Sequence, residues 1–141
     1  MFKSSYIPKY FKAQELVAPE YFAIWGDDAF NLFDPHTLRM LDAIRRDFGE
    51  PITINNYHTG GNYKESGLRT PTTSTGAKRS RHKKAIAFDL KAKNLEVLKD
   101  FIALHSKSYF ISRVEDYAFT KTWVHIEIST DFVDETHFFR P

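Results

Sequence analysis

Apolar residues recur at helical spacing most clearly at Leu38, Leu41, Ile44 and Phe48, while Arg39, Asp42, Arg45 and Arg46 lie elsewhere on the same cylinder. Asp34-Pro35 supplies a cap followed by proline at the first helical position, and Gly49 supplies the stop, so a helix is predicted between them. A shorter helix is expected over roughly Ala13 to Val17, with another following Pro19. Pro51 to Asn56 is a β-branched run that reads as a strand. Tyr57 to Ser80 shows no period and holds four of the six glycines, so it reads as a long functional or disordered loop. Ile86 to Leu90 is the next strand, and Asn94 then caps a helix carrying Leu95, Leu98, Phe101 and Ile102. Two last strands, about Phe110–Glu115 and Trp123–Ile128, are predicted to form an antiparallel hairpin. The expected fold is α+β, one domain over 1–141, with a small, mainly antiparallel sheet flanked by helices.

Strand alternation gives these segments two faces. Ile86, Phe88 and Leu90 form a core side, which leaves Ala87 and Asp89 on the other. Val124, Ile126 and Ile128 form a core side, which leaves Trp123, His125 and Glu127 opposite. Phe110, Ser112 and Val114 should alternate with Ile111, Arg113 and Glu115. In one sheet, Asp89, His125, Glu127 and Glu115 then collect on a single surface, with His82 folding over it from the loop.

The composition narrows the chemistry. An apolar fraction of 42% with 16% aromatics suits a packed domain rather than a disordered chain. A net charge of +2 nominates no polyanionic partner. The absence of cysteine excludes disulfides, thiol nucleophiles and thiolate metal sites, so any metal must be held by imidazole and carboxylate. No apolar run approaches the ~20 residues that span a bilayer, and the first six residues lack the apolar core of a secretory signal. The expectation is a product made in a cytoplasm.

Ser80-Arg81-His82-Lys83-Lys84-Ala85-Ile86-Ala87-Phe88-Asp89 and the later Trp123-Val124-His125 carry the most specific chemistry. Two imidazoles and one carboxylate, with a fourth position left to water, make a catalytic zinc site. Each taken alone reads as a structural residue: a hydrogen-bonded strand histidine, or an aspartate paired with lysine. The combination at fixed offsets points to a metal.

These residues resemble the zinc D-alanyl-D-alanine carboxypeptidase and L-alanyl-D-glutamate endopeptidase family, whose fold is shared with the hedgehog signalling domain. The family pattern S-x-H-x-x-G-x-A-x-D matches at Ser80, His82, Ala87 and Asp89, and His125 fits the third ligand on a late strand. Ser66-Gly67-Leu68-Arg69 is similar to its S-G-x-R element. The resemblance extends from Phe11–Pro19 through Leu38–Asn56 and is nearest to small phage-encoded relatives. It implies zinc held by His82, Asp89 and His125, a substrate carboxylate or carbonyl bound by Arg69, and Ser80 steadying a ligand by hydrogen bonding. It also implies cleavage of peptidoglycan stem peptides, at the cell wall or as part of a phage particle, with other virion proteins as partners.

Two positions depart from the pattern. Ala85 replaces the motif glycine, which calls for a backbone conformation open to alanine. Thr122 and Trp123 stand where the family places its catalytic base, and neither accepts a proton from metal-bound water. Glu115, then Glu127, then His58 are the replacement bases. A second reading therefore follows: a zinc-bearing virion structural or wall-binding module that has lost catalysis. Five Lys/Arg lie within Lys78–Lys84, but no nucleic-acid motif surrounds them. A solvated loop, or attraction to anionic wall polymer, is the better reading of that run, and no specific nucleic acid is expected.

Overall fold

The computed structural model describes residues 6–76 and 80–141. Its helices are α1 (Ala13–Leu16), α2 (Pro19–Trp25), α3 (Pro35–Phe48) and α4 (Leu95–His105). Its strands are β1 (Ala87–Leu90), β2 (Ile111–Glu115), β3 (Val124–Ile128) and β4 (His137–Phe139), in the order β1-β3-β2-β4. The architecture is α+β, as the pattern of apolar positions predicts.

The predicted helix ends are physically in place. The Asp34 side chain accepts from the His36 N–H at 2.8 Å, and Gly49 closes α3 in the left-handed conformation. Asn94 accepts from the Val97 N–H at 3.3 Å at the start of α4. Leu38, Leu41 and Ile44 of α3 and Leu98 and Ile102 of α4 are buried in one cluster with Phe88, Leu90, Val124, Ile126 and Ile128. Each such side chain contributes roughly 1.5–3 kcal/mol of burial. Asp42, on the far side of α3, is also buried, and it fastens the chain's start by accepting from Tyr6 Oη and the N–H groups of Lys9 and Tyr10.

Three expectations need correction. Residues 51–56 form no regular strand: Thr53 makes one bridge to Lys91, and Asn55 N–H instead bonds Glu15 O at 2.9 Å. A ladder needs successive backbone groups facing one neighbour, and here they serve two. The strict alternation 110–115 is broken by a bulge between Ile111 and Arg113, so Ile111 and Val114 both face the core. Finally, the last two predicted strands pair as expected, but β4 continues the sheet by returning parallel to β2.

The loop 57–80 is partly core. Leu68 bridges Val17, and Leu68 N–H bonds Leu16 O at 2.8 Å. Gly67 passes so close to the Leu16 backbone that any Cβ there would overlap it. Asp89 N–H bonds Ser66 O at 2.8 Å, which lays the Ser66–Arg69 element along the outer side of β1.

Candidate metal centre

The antiparallel register pairs Asp89 with His125 across β1 and β3, and Ala87 with Glu127. Across β3 and β2, Glu127 pairs with Arg113 and Ile126 with Val114, so the next step sets Glu115 level with His125. Because cross-strand partners share a face, two rows run over the sheet opposite the core: Asp89·His125·Glu115 and Ala87·Glu127·Arg113. That face is not open to solvent. His125 and Glu127 are buried, and the Phe139 ring meets His125 edge-on at 5.7 Å.

His82 comes from a 3-10 turn, Arg81–Lys84, that precedes β1. Ser80 Oγ accepts from the His82 backbone N–H at 3.3 Å, so serine steadies this residue through its main chain rather than its ring. The ring is held at Nδ1, 3.1 Å from Gly67 O. A carbonyl can only accept, so Nδ1 carries the hydrogen and Nε2 presents a lone pair inward.

His125 is held in the opposite sense. Its Nε2–H donates to Glu127 Oε2 at 3.0 Å, and Nδ1 faces Asp89 Oδ1 at 2.9 Å. His82 Nε2 lies 3.2 Å from His125 Nδ1 and 3.3 Å from Asp89 Oδ1. The three inward atoms thus form a nearly equilateral triangle. Two nitrogens bound to one tetrahedral zinc at 2.0–2.1 Å stand roughly 3.3 Å apart. The lone pairs of His82 Nε2 and Asp89 Oδ1 also face each other across a buried gap, an arrangement that a bound metal ion relieves and that, without metal, a proton on His125 Nδ1 relieves. His82, Asp89 and His125 are the group among the described residues that could hold a metal ion, and their donors fit zinc.

The charges reinforce one another. Burial would push the Asp89 carboxyl up, but the hydrogen bond from His125 and the attraction of the two imidazoles hold it well below the usual carboxylate range. Burial would push His125 down, but its bonds to Asp89 and Glu127 carry it up to about 9. Burial likewise opposes ionisation of Glu127, and His125 with Arg113 and Arg81 overcomes it. Arg113 Nη1 and Arg81 Nε each lie 3.4 Å from Glu127 Oε1. Glu115 differs, because burial dominates there and raises its carboxyl above the ordinary value.

A sequence model of the peptidase M15 family matches residues 9–127. The chain belongs to the peptidase M15 family. Peptidases of this family depend on zinc, and the match ends one residue before the last of β3. No curated protein and no solved structure is significantly similar to the chain.

The remaining predicted residues fall in different places. Arg69 is buried, with Nε donating to Glu65 O at 2.6 Å and Nη2 lying 3.5 Å from Asp89 Oδ2. Thr122 and Trp123 line a chamber beside Asp89, so the two positions that depart from the expected pattern supply no proton acceptor there. His58 is exposed and lines a separate pocket with Gln14, Val17 and Phe22. Arg81, from the basic run, is exposed but not idle, because it pairs with Glu127; Lys78 and Arg79 lie outside the described residues.

Sequence reasoning missed three contributors. The Gly67 carbonyl carries no side-chain signal. Phe139 sits on a strand too short to show a period. Lys91, whose ammonium burial pulls down to about 8, could have been found two residues after Asp89 on the same strand face.

Proposed function

We propose that this chain is a zinc-dependent hydrolase of peptidoglycan stem peptides, with the metal held by His82 Nε2, Asp89 Oδ1 and His125 Nδ1. The observation that carries this reading is the triangle of those three atoms, at 2.9, 3.2 and 3.3 Å. When bound, zinc polarises the scissile carbonyl and brings the pKa of its water to around 7.

The protein's own groups then divide the work. Gly67 O and Glu127 fix hydrogens of His82 and His125 on the outward nitrogens, so that the inward nitrogens are the ligating pair once His125 Nδ1 gives up its proton. Arg69 engages Asp89 Oδ2 and so orients the carboxylate. Glu115, in the same cross-sheet row as His125, accepts the proton of the attacking water and returns it to the leaving amine. Its raised pKa suits that exchange, because a base works best near the operating pH. This reading makes Glu127 the keeper of a ligand ring rather than the proton acceptor. Action at the cell wall, by a phage-encoded protein made in its host's cytoplasm, completes the proposal.

Thr122 and Trp123 favour one other reading, a zinc-bearing wall-binding or virion module without turnover. Zinc-loaded protein incubated with purified peptidoglycan distinguishes the two. New free amino groups and stem-peptide fragments, lost in Glu115→Gln, support the hydrolase. Silence against several wall chemotypes with zinc bound supports the module.

A further inference from the structure

A small chamber of about 190 Å³ opens beside Asp89, lined by Tyr63, Ser66, Asp89, Lys91, Thr122 and Trp123. Tyr63 and Lys91 also line a larger cleft of about 1060 Å³ that passes Thr53, Asn56 and Leu95. These two side chains therefore stand where the cleft meets the chamber. Lys91 is the one cation among the six residues that line the chamber. It lies two positions beyond Asp89, separated by the fully buried Leu90, so it shares the face of the metal group.

The ammonium of Lys91 is half-buried and well held. Nζ donates to Ile54 O at 2.6 Å and to Ser66 Oγ at 2.7 Å, and it lies 4.1 Å from the centre of the Tyr63 ring. All three partners are uncharged. Among the described residues no carboxylate is in ion-pair contact with it, since Asp89 is engaged by His82, His125 and Arg69. Asp89 attracts the ammonium from the same chamber without pairing with it. A cation taken from water with no carboxylate in contact is costly, and a neutral side chain would stitch the same acceptors at less cost. Arg69, the other cation beside Asp89, is already tied to Asp89 and Glu65 O.

We propose that Lys91 is the anchor for a carboxylate of the substrate, so that the cleft selects peptides bearing a free acidic group. This rests on the peptidase reading above. With a scissile carbonyl at the His82–Asp89–His125 group, the favoured carboxylate lies two extended residue steps away, roughly 7 Å. Either a chain terminus or an acidic side chain supplies that chemistry.

Calorimetric titration of the zinc-loaded protein with three matched short peptides tests the assignment. One carries both a free C-terminus and a glutamate, one has the terminus amidated, and one has the glutamate replaced by glutamine. The wild type should bind one of the two neutralised peptides about tenfold more weakly, the worth of one charge-assisted hydrogen bond. Which one weakens names the source of the carboxylate. Lys91→Met should erase that ratio and Lys91→Arg should keep most of it, whereas a purely structural lysine would weaken all three peptides alike. If Lys91→Met does not fold, the ¹⁵N signal of the Lys91 ammonium in wild type should move with the parent peptide and not with the weaker one. Equal binding of all three peptides, or binding of none, overturns the proposal. Because binding is read without turnover, a retained preference with no hydrolysis would sink the peptidase reading and leave Lys91 as the anchor of a bound ligand's carboxylate rather than a substrate's.

Discussion

Glu127 accepts a hydrogen bond from His125 Nε2 at 3.0 Å, on the side of the ring turned away from His82 and Asp89. Two residues apart on one strand, they share a face, and the longer glutamate folds back to meet the imidazole. Arg81 and Arg113 hold the other carboxylate oxygen. The ring nitrogen that faces the triangle is thereby chosen by a residue that does not itself face it.

Replacing that carboxylate should loosen the metal without emptying the site. Glu127→Gln, which can still accept a hydrogen bond, is expected to cost zinc affinity by about tenfold, and Glu127→Ala by up to about a hundredfold. Competition with a chelator of known affinity reads both. Unchanged affinity in the alanine variant would remove Glu127 from the site.

Glu115→Gln should behave in the opposite way. Zinc content is expected to stay at wild-type level, while turnover falls by roughly 10²–10⁴-fold, the usual worth of a positioned base. A loss of metal together with activity would mean that Glu115 shapes the site rather than moving protons.

The pH dependence follows from His125. Its folded-state pKa of about 9 stands above the ordinary 6.5. In metal-free protein its bonds therefore contribute stability that is complete below about 6.5 and lost as pH rises through about 9. Asp89, held below its ordinary value, contributes stability present above roughly pH 4 and lost on further acidification. Zinc must displace the His125 Nδ1 proton, so its affinity should climb about tenfold per pH unit up to about 9 and then level off. Melting temperatures of metal-free protein and zinc titrations at several pH values check both branches. Affinity that is flat between pH 6 and 8 would mean that His125 is already neutral.

How much of this was legible in the chain depends on the range of the physics involved. The α3 and α4 caps and the facing of Asp89 and His125 arise within a few residues, where alternation and capping act, and sequence shows them. The bulge at Ser112 does not show, because it is set by β3 across the ladder. Phe139 reaches His125 only after β4 has found β2, and three residues carry no period. The burial of Glu127 is likewise invisible, since Arg81 and Arg113 that neutralise it come from separate segments. Alternation marks which residues share a face, but not what later covers that face.

Two small residues in the motif segments make opposed predictions. Ala85 occupies the motif's glycine position at φ 60°, ψ 30°, a left-handed conformation and not one open to alanine as the sequence suggested. That conformation costs a non-glycine residue roughly 1–2 kcal/mol. Glycine would relieve the strain but give back about 0.4–1 kcal/mol through greater freedom of the unfolded chain. Ala85→Gly should therefore stabilise the protein by roughly 0.5–1 kcal/mol, with zinc affinity equal or better because His82 lies in the same turn. Gly67→Ala should do the reverse. Its new methyl would collide with the Leu16 backbone, which is fixed by the Leu68 N–H bond to Leu16 O, so the chain must move. The Gly67 carbonyl that holds His82 Nδ1 moves with it. A loss of about 2 kcal/mol or more is expected, read from urea midpoints, together with weaker zinc binding. If Gly67→Ala lost stability but bound zinc as tightly as wild type, the Gly67 carbonyl would not be what fixes the tautomer of His82.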